Sequence, residues 1–419
     1  MILISIIAHL RQICKGFGRK QVFFWGDRAK PFPTKRWGGT ISHVATQATA
    51  FGVLTERLKL RQIDYPLLLT TMLLIGAGLA ALYSATYQWS PSIFRKQLVW
   101  LGAGVGLAGV IASIKPSVWA RSSRLLYALN LAMLVGVLLF GAERKGAQRW
   151  LELPGGFQLQ PSEFAKILLI LTLASWLARQ GEAIRTPKGF LLSMLHMAIP
   201  ALLVFKQPDL GTSIVFGVLW FAMVYLAGAR TRWLWLTVVA GALGFVGLWH
   251  FDILKDYQKA RLVSFMNPEA DPQQSGYHIL QARIAVGSGQ LVGKGYLHGT
   301  QKNLRYIPEQ HTDFIFVVVA EELGFVGAVG LLGLYGAFLY TIWRLMTRTR
   351  EEYHRLIAGG ILALFTFHLF TNVGMTIGLF PVVGIPLPFI SYGGTMLWVS
   401  LAAVGLLQAI SLHESPVRI

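Results

Sequence analysis

The stretch Pro308-Glu309-Gln310-His311-Thr312-Asp313-Phe314-Ile315-Phe316 sets two carboxylates and an imidazole at the mouth of a long apolar run, and Glu321 and Glu322 follow deeper in the same run. Charge in such a run is expensive, and where it persists it pairs or serves a pathway. Asp313 has two roles open to it: a helix cap, whose carboxylate accepts backbone N–H bonds, or a base for proton transfer. Glu309 and His311 crowd the same mouth. On an ideal helix Glu321 falls about 80° round from Asp313 and roughly 12 Å deeper, with Glu322 on the opposite face. Glu321 therefore reads as a residue supporting a site, and Glu322 as a packing contact.

Three other segments carry polar chemistry. Gly146-Ala147-Gln148-Arg149-Trp150 and Gln160-Pro161-Ser162-Glu163-Phe164-Ala165-Lys166 precede another apolar run. Ser162 is the predicted N-cap there, and Glu163 and Lys166 share a helix face at i and i+3. They form either a self-contained ion pair or a support in which Lys166 crosses the bundle to Glu321 or Asp313. Asp209, in Gln207-Pro208-Asp209-Leu210-Gly211-Thr212, is a cap first and a ligand contact second. Lys255, Lys259 and Arg261, with Lys294 and Arg305 farther on, make a basic cluster suited to a phosphate or to lipid headgroups. Near the C-terminus, Asn372-Val373-Gly374-Met375 is followed by Pro381-Val382-Val383-Gly384-Ile385-Pro386-Leu387-Pro388-Phe389 and Ser391-Tyr392-Gly393-Gly394. Three prolines without charge read as a shaped re-entrant or interfacial turn that could line a lipid path.

The elements that must position these residues are membrane helices. The 419 residues are 54% hydrophobic and 14% charged, and the mean hydropathy is +0.53, too apolar for a soluble multidomain protein. Apolar runs near 66–86, 97–114, 124–142, 163–179, 189–206, 211–229, 233–251, 314–343, 355–379 and 387–411 are long enough to cross about 30 Å of hydrocarbon as helix. The expected fold is all-α, a polytopic protein of ten transmembrane helices over 63–413, with a long extracytoplasmic loop, about 252–312, between helices 7 and 8. The other outer segment that stands apart is 143–160. Tyr277, Leu280 and Ile284 recur at helical spacing in the long loop, as an amphipathic helix at the interface or as a simple packing helix.

The net charge of +19 does not imply nucleic acid. No recognition motif accompanies it; about eleven of the basic residues precede Gln62, and others fill short loops on one side. That is the pattern of a cytoplasmic membrane protein with both termini cytoplasmic, and anionic membrane lipids are its natural counterpart. The single cysteine, Cys14, excludes an intrachain disulfide and a thiolate metal cluster. Residues 1–62 are expected to be a flexible or weakly amphipathic cytoplasmic extension, and 414–419 a short cytoplasmic tail. Since no methionine lies between Met1 and Met72, a start nearer Val53 or Leu54 is a hypothesis that a peptide from residues 20–50 of the natural protein would refute.

From about Ile63 to the C-terminus these motifs together resemble the SEDS family, the polytopic cell-wall polymerases of shape, elongation, division and sporulation. Gly276-Tyr277-His278-Ile279, Gly293-Lys294-Gly295 and Gly299-Thr300-Gln301 are similar to its RodA-like elongation branch. The resemblance implies a peptidoglycan glycosyltransferase that polymerises lipid II with inversion into β-1,4 glycan, at the outer face of the bacterial cytoplasmic membrane. It implies Asp313 as the catalytic aspartate, and Glu163 and Lys166 as residues of a central cavity. Asn267 and Arg283 depart from the family pattern and put only local loop contacts in doubt. It implies a class B penicillin-binding protein as partner, with other elongation-complex proteins. The expected chemistry has Asp313 take the acceptor hydroxyl proton as attack proceeds. Arg149, Lys259 or Arg261 would neutralise the diphosphate, with a divalent cation (Mg or Mn), Asp313 among its ligands, as the one candidate cofactor. The rival readings are a lipid II flippase, a scaffold without turnover, and a polymerase of the division or sporulation branch.

Overall fold

The computed structural model describes residues 62–414 apart from 145–146, 154–156, 253, 255–258, 260–262, 267–274 and 304–309. The described helices belong to one compact unit, Asp64–Ser415. The extension before Gln62, the tail beyond Glu414, and Lys255, Arg261, Asn267, Arg305 and Glu309 lie outside the described residues.

The apolar runs fold as helices. In chain order these are α1 (Tyr65–Thr86), α2 (Pro91–Ser113), the short α3 (Pro116–Arg121) and α4 (Ser123–Phe140), then α5 (Pro161–Gln180), α6 (Pro187–Lys206), α7 (Leu210–Leu226) and α8 (Thr231–His250). The outer segment carries α9 (Ser275–Ser288) and α10 (Thr300–Asn303), and α11 (Ile315–Arg348), α12 (Glu352–Thr376) and α13 (Gly394–His413) complete the chain. Among the described residues nine helices are long and apolar enough to span a membrane; α7, with 17 residues, is shorter. The fold is all-α but for a three-stranded antiparallel sheet in the first outer segment, β1 (Ala142–Arg144), β2 (Ala147–Leu153) and β3 (Phe157–Leu159). Leu151 pairs with Leu159 and Leu153 with Phe157 across a Pro-Gly-Gly connection, which is hairpin chemistry.

Helix starts follow from local residues. Pro91, Pro116, Pro161 and Pro187 each open a helix, where a fixed φ is favourable and the missing N–H has no intrahelical partner to lose. Asp64 accepts from Leu67 N at 3.1 Å, and the expected cap at Asp209 forms, accepting from Thr212 N at 3.2 Å. Ser162 does not cap. With Pro161 at the first helical position the cap falls on Gln160, and the Ser162 hydroxyl is buried with no hydrogen-bond partner among the described residues. Asp313 falls one residue before the cap position, since α11 starts at Ile315 with Phe314 at the cap. Pro200 lies inside α6, and the His196 carbonyl it frees accepts from the Tyr127 hydroxyl at 2.9 Å, as non-helical bonding inside a bilayer requires.

Burial separates an inner group of helices from an outer one. The apolar windows of α13 and α5 are 83% and 78% buried, against 6% for α8. Glu163 and Lys166 lie on the inner helix α5, Glu321 and Glu322 on α11, and Asp313 just before α11. α11 is broken at Gly324, whose φ of 64° and ψ of −160° leave the helical region. The outer segment fills that break: Lys294 N and Gly295 N donate to the Glu321 and Glu322 carbonyls at 3.1 and 3.0 Å, while Phe325 N and Val326 N donate to Gln290 and Leu291 at 2.8 and 3.0 Å. α9 packs on the start of α11, where Ala282 and Ala285 join Phe314 and Val317 in one buried cluster. Its buried positions are Ile279, Ala282 and Ala285, whereas Leu280 and Ile284 are exposed. This helix packs on the bundle through one face and turns Leu280 and Ile284 outward.

Gly293 sits where the chain enters the break, with φ of +81° and space for no side chain: an added Cβ would lie 2.1 Å from the Glu322 carbonyl oxygen. Gly293→Ala is therefore expected to destabilise the protein by about 1–3 kcal/mol through backbone strain. This reads as a lower melting temperature in detergent, while Gly287→Ala, with open space around its Cβ, is expected to leave it unchanged or slightly raised.

Candidate active site

Asp313 stands just before α11, and three successive carbonyls hold its backbone. The His311 carbonyl accepts from Tyr392 N at 2.8 Å, the Thr312 carbonyl from Ser391 Oγ at 2.5 Å, and the Asp313 carbonyl from Asn372 Nδ2 at 2.9 Å. Gln310 Nε2 adds a bond to the Ala85 carbonyl at 3.3 Å. The His311 and Tyr392 rings lie 5.8 Å apart. An added Cβ at Gly384, where φ is +71°, would meet Asp313 Oδ2 at 3.5 Å, so the carboxylate lies against the backbone of the 381–393 segment. A partly exposed carboxylate on a backbone whose carbonyls are held in this way can accept a proton without reorganising.

The 381–393 segment is itself held from behind. His368 Nδ1 lies 3.1 Å from the Pro386 carbonyl, Asn372 Nδ2 donates to the Ile385 carbonyl at 2.9 Å, and the Tyr335 hydroxyl donates to the Pro388 carbonyl. A carbonyl only accepts, so the proton of His368 sits on Nδ1 and its Nε2 can accept from Lys166 Nζ at 3.3 Å. Lys166, 1% exposed, also donates to Glu163 at 2.8 Å. The Glu163–Lys166 pair thus forms as the i, i+3 spacing predicts. The cross-bundle contact runs to His368 rather than to Glu321 or Asp313, because the ammonium reaches the imidazole on α12.

Glu321 faces the outer segment. It accepts from Lys294 Nζ at 2.8 Å, Thr300 Oγ1 at 3.1 Å and Gln301 N at 2.9 Å, and so ties that segment to α11 just before its break. Glu322, on the other face, accepts from Ser84 Oγ at 2.7 Å, the packing contact expected of it. Arg149 donates to the Gln207 carbonyl at 3.2 Å and to the Pro208 carbonyl, and lies 3.9 Å from Asp209. Its neighbours adjoin the site, since an added Cβ at Gly211 would be 2.8 Å from the Val383 carbonyl, next to Gly384. Lys259 pairs with Asp252, beyond the end of α8. Among the described residues no three His, Cys, Asp or Glu side chains gather to hold a metal ion.

Sequence reasoning missed His368, and it read Asn372, Ser391 and Tyr392 as lining rather than as the clamp on the aspartate. Their signal was the polar residues on the otherwise apolar α12 run and the three-proline segment. Their partners lie 59 to 202 positions away, a separation no local pattern encodes.

Residues 65–416 match the FtsW/RodA/SpoVE family profile, described as cell cycle protein. The chain is 41% identical over 349 residues to the peptidoglycan glycosyltransferase MrdB of Escherichia coli K12, covering 82% of this chain and 93% of that protein. It is 33% identical to the peptidoglycan glycosyltransferase RodA of Treponema pallidum, covering 84% of this chain and 98% of the relative. Among solved structures it resembles a chain of a peptidoglycan synthase complex that coordinates polymerization and crosslinking (TM-score 0.72, 32% identity, 83% of this chain and 97% of that one). It also resembles the rod shape determining protein RodA of Thermus thermophilus (TM-score 0.65, 30% identity, 84% and 98%).

Proposed function

The chain belongs to the FtsW/RodA/SpoVE family of cell cycle proteins, and from that membership we infer that it is a peptidoglycan glycosyltransferase of the RodA-like elongation branch. It is a multi-pass membrane protein that polymerises lipid II into glycan. Lipid II carries its sugar on a diphosphate in α linkage and the product is β-1,4 linked, so the reaction is an inverting displacement with one base and one stabilised leaving group. Asp313 accepts the proton of the acceptor 4-hydroxyl as that oxygen attacks, since a carboxylate cannot deprotonate an alcohol beforehand. The observation that carries this assignment is the bonding of three consecutive carbonyls, from His311 to Asp313, which presents the carboxylate in one place.

Arg149, whose partners at 207–209 adjoin the Gly384 side of the site, with Lys259 and Arg261, supplies positive charge for the leaving diphosphate. Glu163, Lys166, Glu321 and His311 support the cavity, and Glu309 borders its mouth in sequence. A divalent cation, Mg or Mn, would be held by the Asp313 carboxylate together with the substrate's phosphate oxygens, and would supply charge to the leaving group. The basic connections between spans support cytoplasmic termini. The likeness to a complex that couples polymerization to crosslinking supports a class B penicillin-binding protein as partner, within an elongation complex.

The test is to supply purified lipid II to the protein with its cognate class B partner in detergent. Long glycan that a muramidase degrades is the expected product. Absence of polymer from the folded complex would overturn the reading.

A further inference from the structure

Asn372 is fully buried on α12, and its amide is used in one sense only. Nδ2 donates at 2.9 Å to the Asp313 carbonyl and at 2.9 Å to the Ile385 carbonyl, while Oδ1 is buried with no hydrogen-bond partner among the described residues. A buried amide oxygen left unpaired is unfavourable, and native structures keep few such atoms without a use. The two carbonyls that Asn372 joins belong to the segment bearing Asp313 and to the segment bearing Gly384, the residue against which the Asp313 carboxylate lies. These segments are 59 and 13 positions from Asn372, and this side chain is the bridge between them that ends on Asp313 itself, beside the Ser391 and Tyr392 bonds to Thr312 and His311.

We propose that Asn372 is a positioning residue for the reaction, a double donor that fixes the distance of Asp313 from the 381–393 segment. The proposal rests on Asp313 being the base. The other ties end on neighbours of Asp313 or on the far side of the 381–393 segment, and Asn372 bonds the Asp313 carbonyl itself. His368 and Tyr335 bind the Pro386 and Pro388 carbonyls from behind, and Ser391 and Tyr392 hold Thr312 and His311. Loss of Asn372 leaves those anchors in place and frees the carboxylate-bearing residue alone. A displacement on the order of 1 Å at a reacting group lowers turnover about a hundredfold without weakening substrate binding.

Asn372→Leu keeps the branched shape and removes both N–H donors; Asn372→Ser keeps one hydroxyl donor and adds no bulk. Both are compared with wild type and Asp313→Asn in complex with the class B partner, reading kcat and KM for lipid II and the melting temperature. The expected result is a fall in kcat of tenfold or more for Asn372→Leu and a smaller fall for Asn372→Ser. KM should stay within about twofold, because the substrate-binding surface is kept, and the melting temperature should stay near wild type. Wild-type kcat in either folded variant would overturn the proposal. So would a KM that rises in step with a falling melting temperature, since that marks general disruption. If Asn372→Leu does not fold, Asn372→Ser decides by the same criteria. An active Asp313→Asn would remove the base and the positioning role together, whereas an inactive Asp313→Asn beside a fully active Asn372→Leu would remove only the latter.

Discussion

Asp313→Asn is expected to lower glycan polymerisation by roughly 10²- to 10⁴-fold, the usual contribution of a positioned general base, with the protein as stable as wild type. Stability should hold because the bonds that fix this segment run to the main-chain carbonyls of residues 311–313, which the substitution leaves intact. The amide fits the space by Gly384 but cannot take the acceptor proton. Asp313→Glu separates proton transfer from placement: it retains the carboxylate and carries it one methylene farther. A large loss in Glu as well would show that placement matters. Lipid II binding should persist in both, so the effect falls on kcat. The measurement is the initial rate of polymer formation with the class B partner present, alongside substrate binding by the same preparations. An Asn variant that polymerises at the wild-type rate would remove Asp313 from the reaction.

What the sequence made legible was whatever depends on neighbours along the chain. Each of the ten apolar runs contains a helix, with boundaries moved by a few residues, because hydrophobic length is a local property. The Asp209 cap and the Glu163–Lys166 pair appear as spaced, since both need only one helical turn. The cap expected at Ser162 fails because Pro161 shifts it to Gln160. The break at Gly324 was invisible, since glycine is common in membrane helices and the bonds that fill the break come from residues 290–295. The last run, read from 387, becomes helix only at Gly394. Its first residues are drawn out to meet Thr312 and His311.

Lys166→Met is expected to destabilise the protein more than Gly293→Ala does, by about 3–5 kcal/mol. Lys166 is 1% exposed and pairs with Glu163, which is itself 5% exposed with Oε2 unbonded among the described residues. Removing the ammonium leaves a buried carboxylate without this counter-charge and His368 Nε2 without its donor. The desolvation penalty of Glu163 is then unopposed. The double variant Glu163→Gln/Lys166→Met removes that charge and should recover most of the lost stability, since a buried pair replaced as a unit is often neutral. Melting temperatures of wild type and the two variants in one detergent measure this directly. The same comparison separates two contributions of the pair to activity. If the pair acts only by balancing its own buried charge, the double variant recovers stability and regains turnover in proportion. If the ammonium also supplies charge to the cavity, stability returns without turnover. A double variant as unstable as Lys166→Met would mean that the contact to His368, and not the unpaired charge of Glu163, dominates the energetics of this part of the bundle.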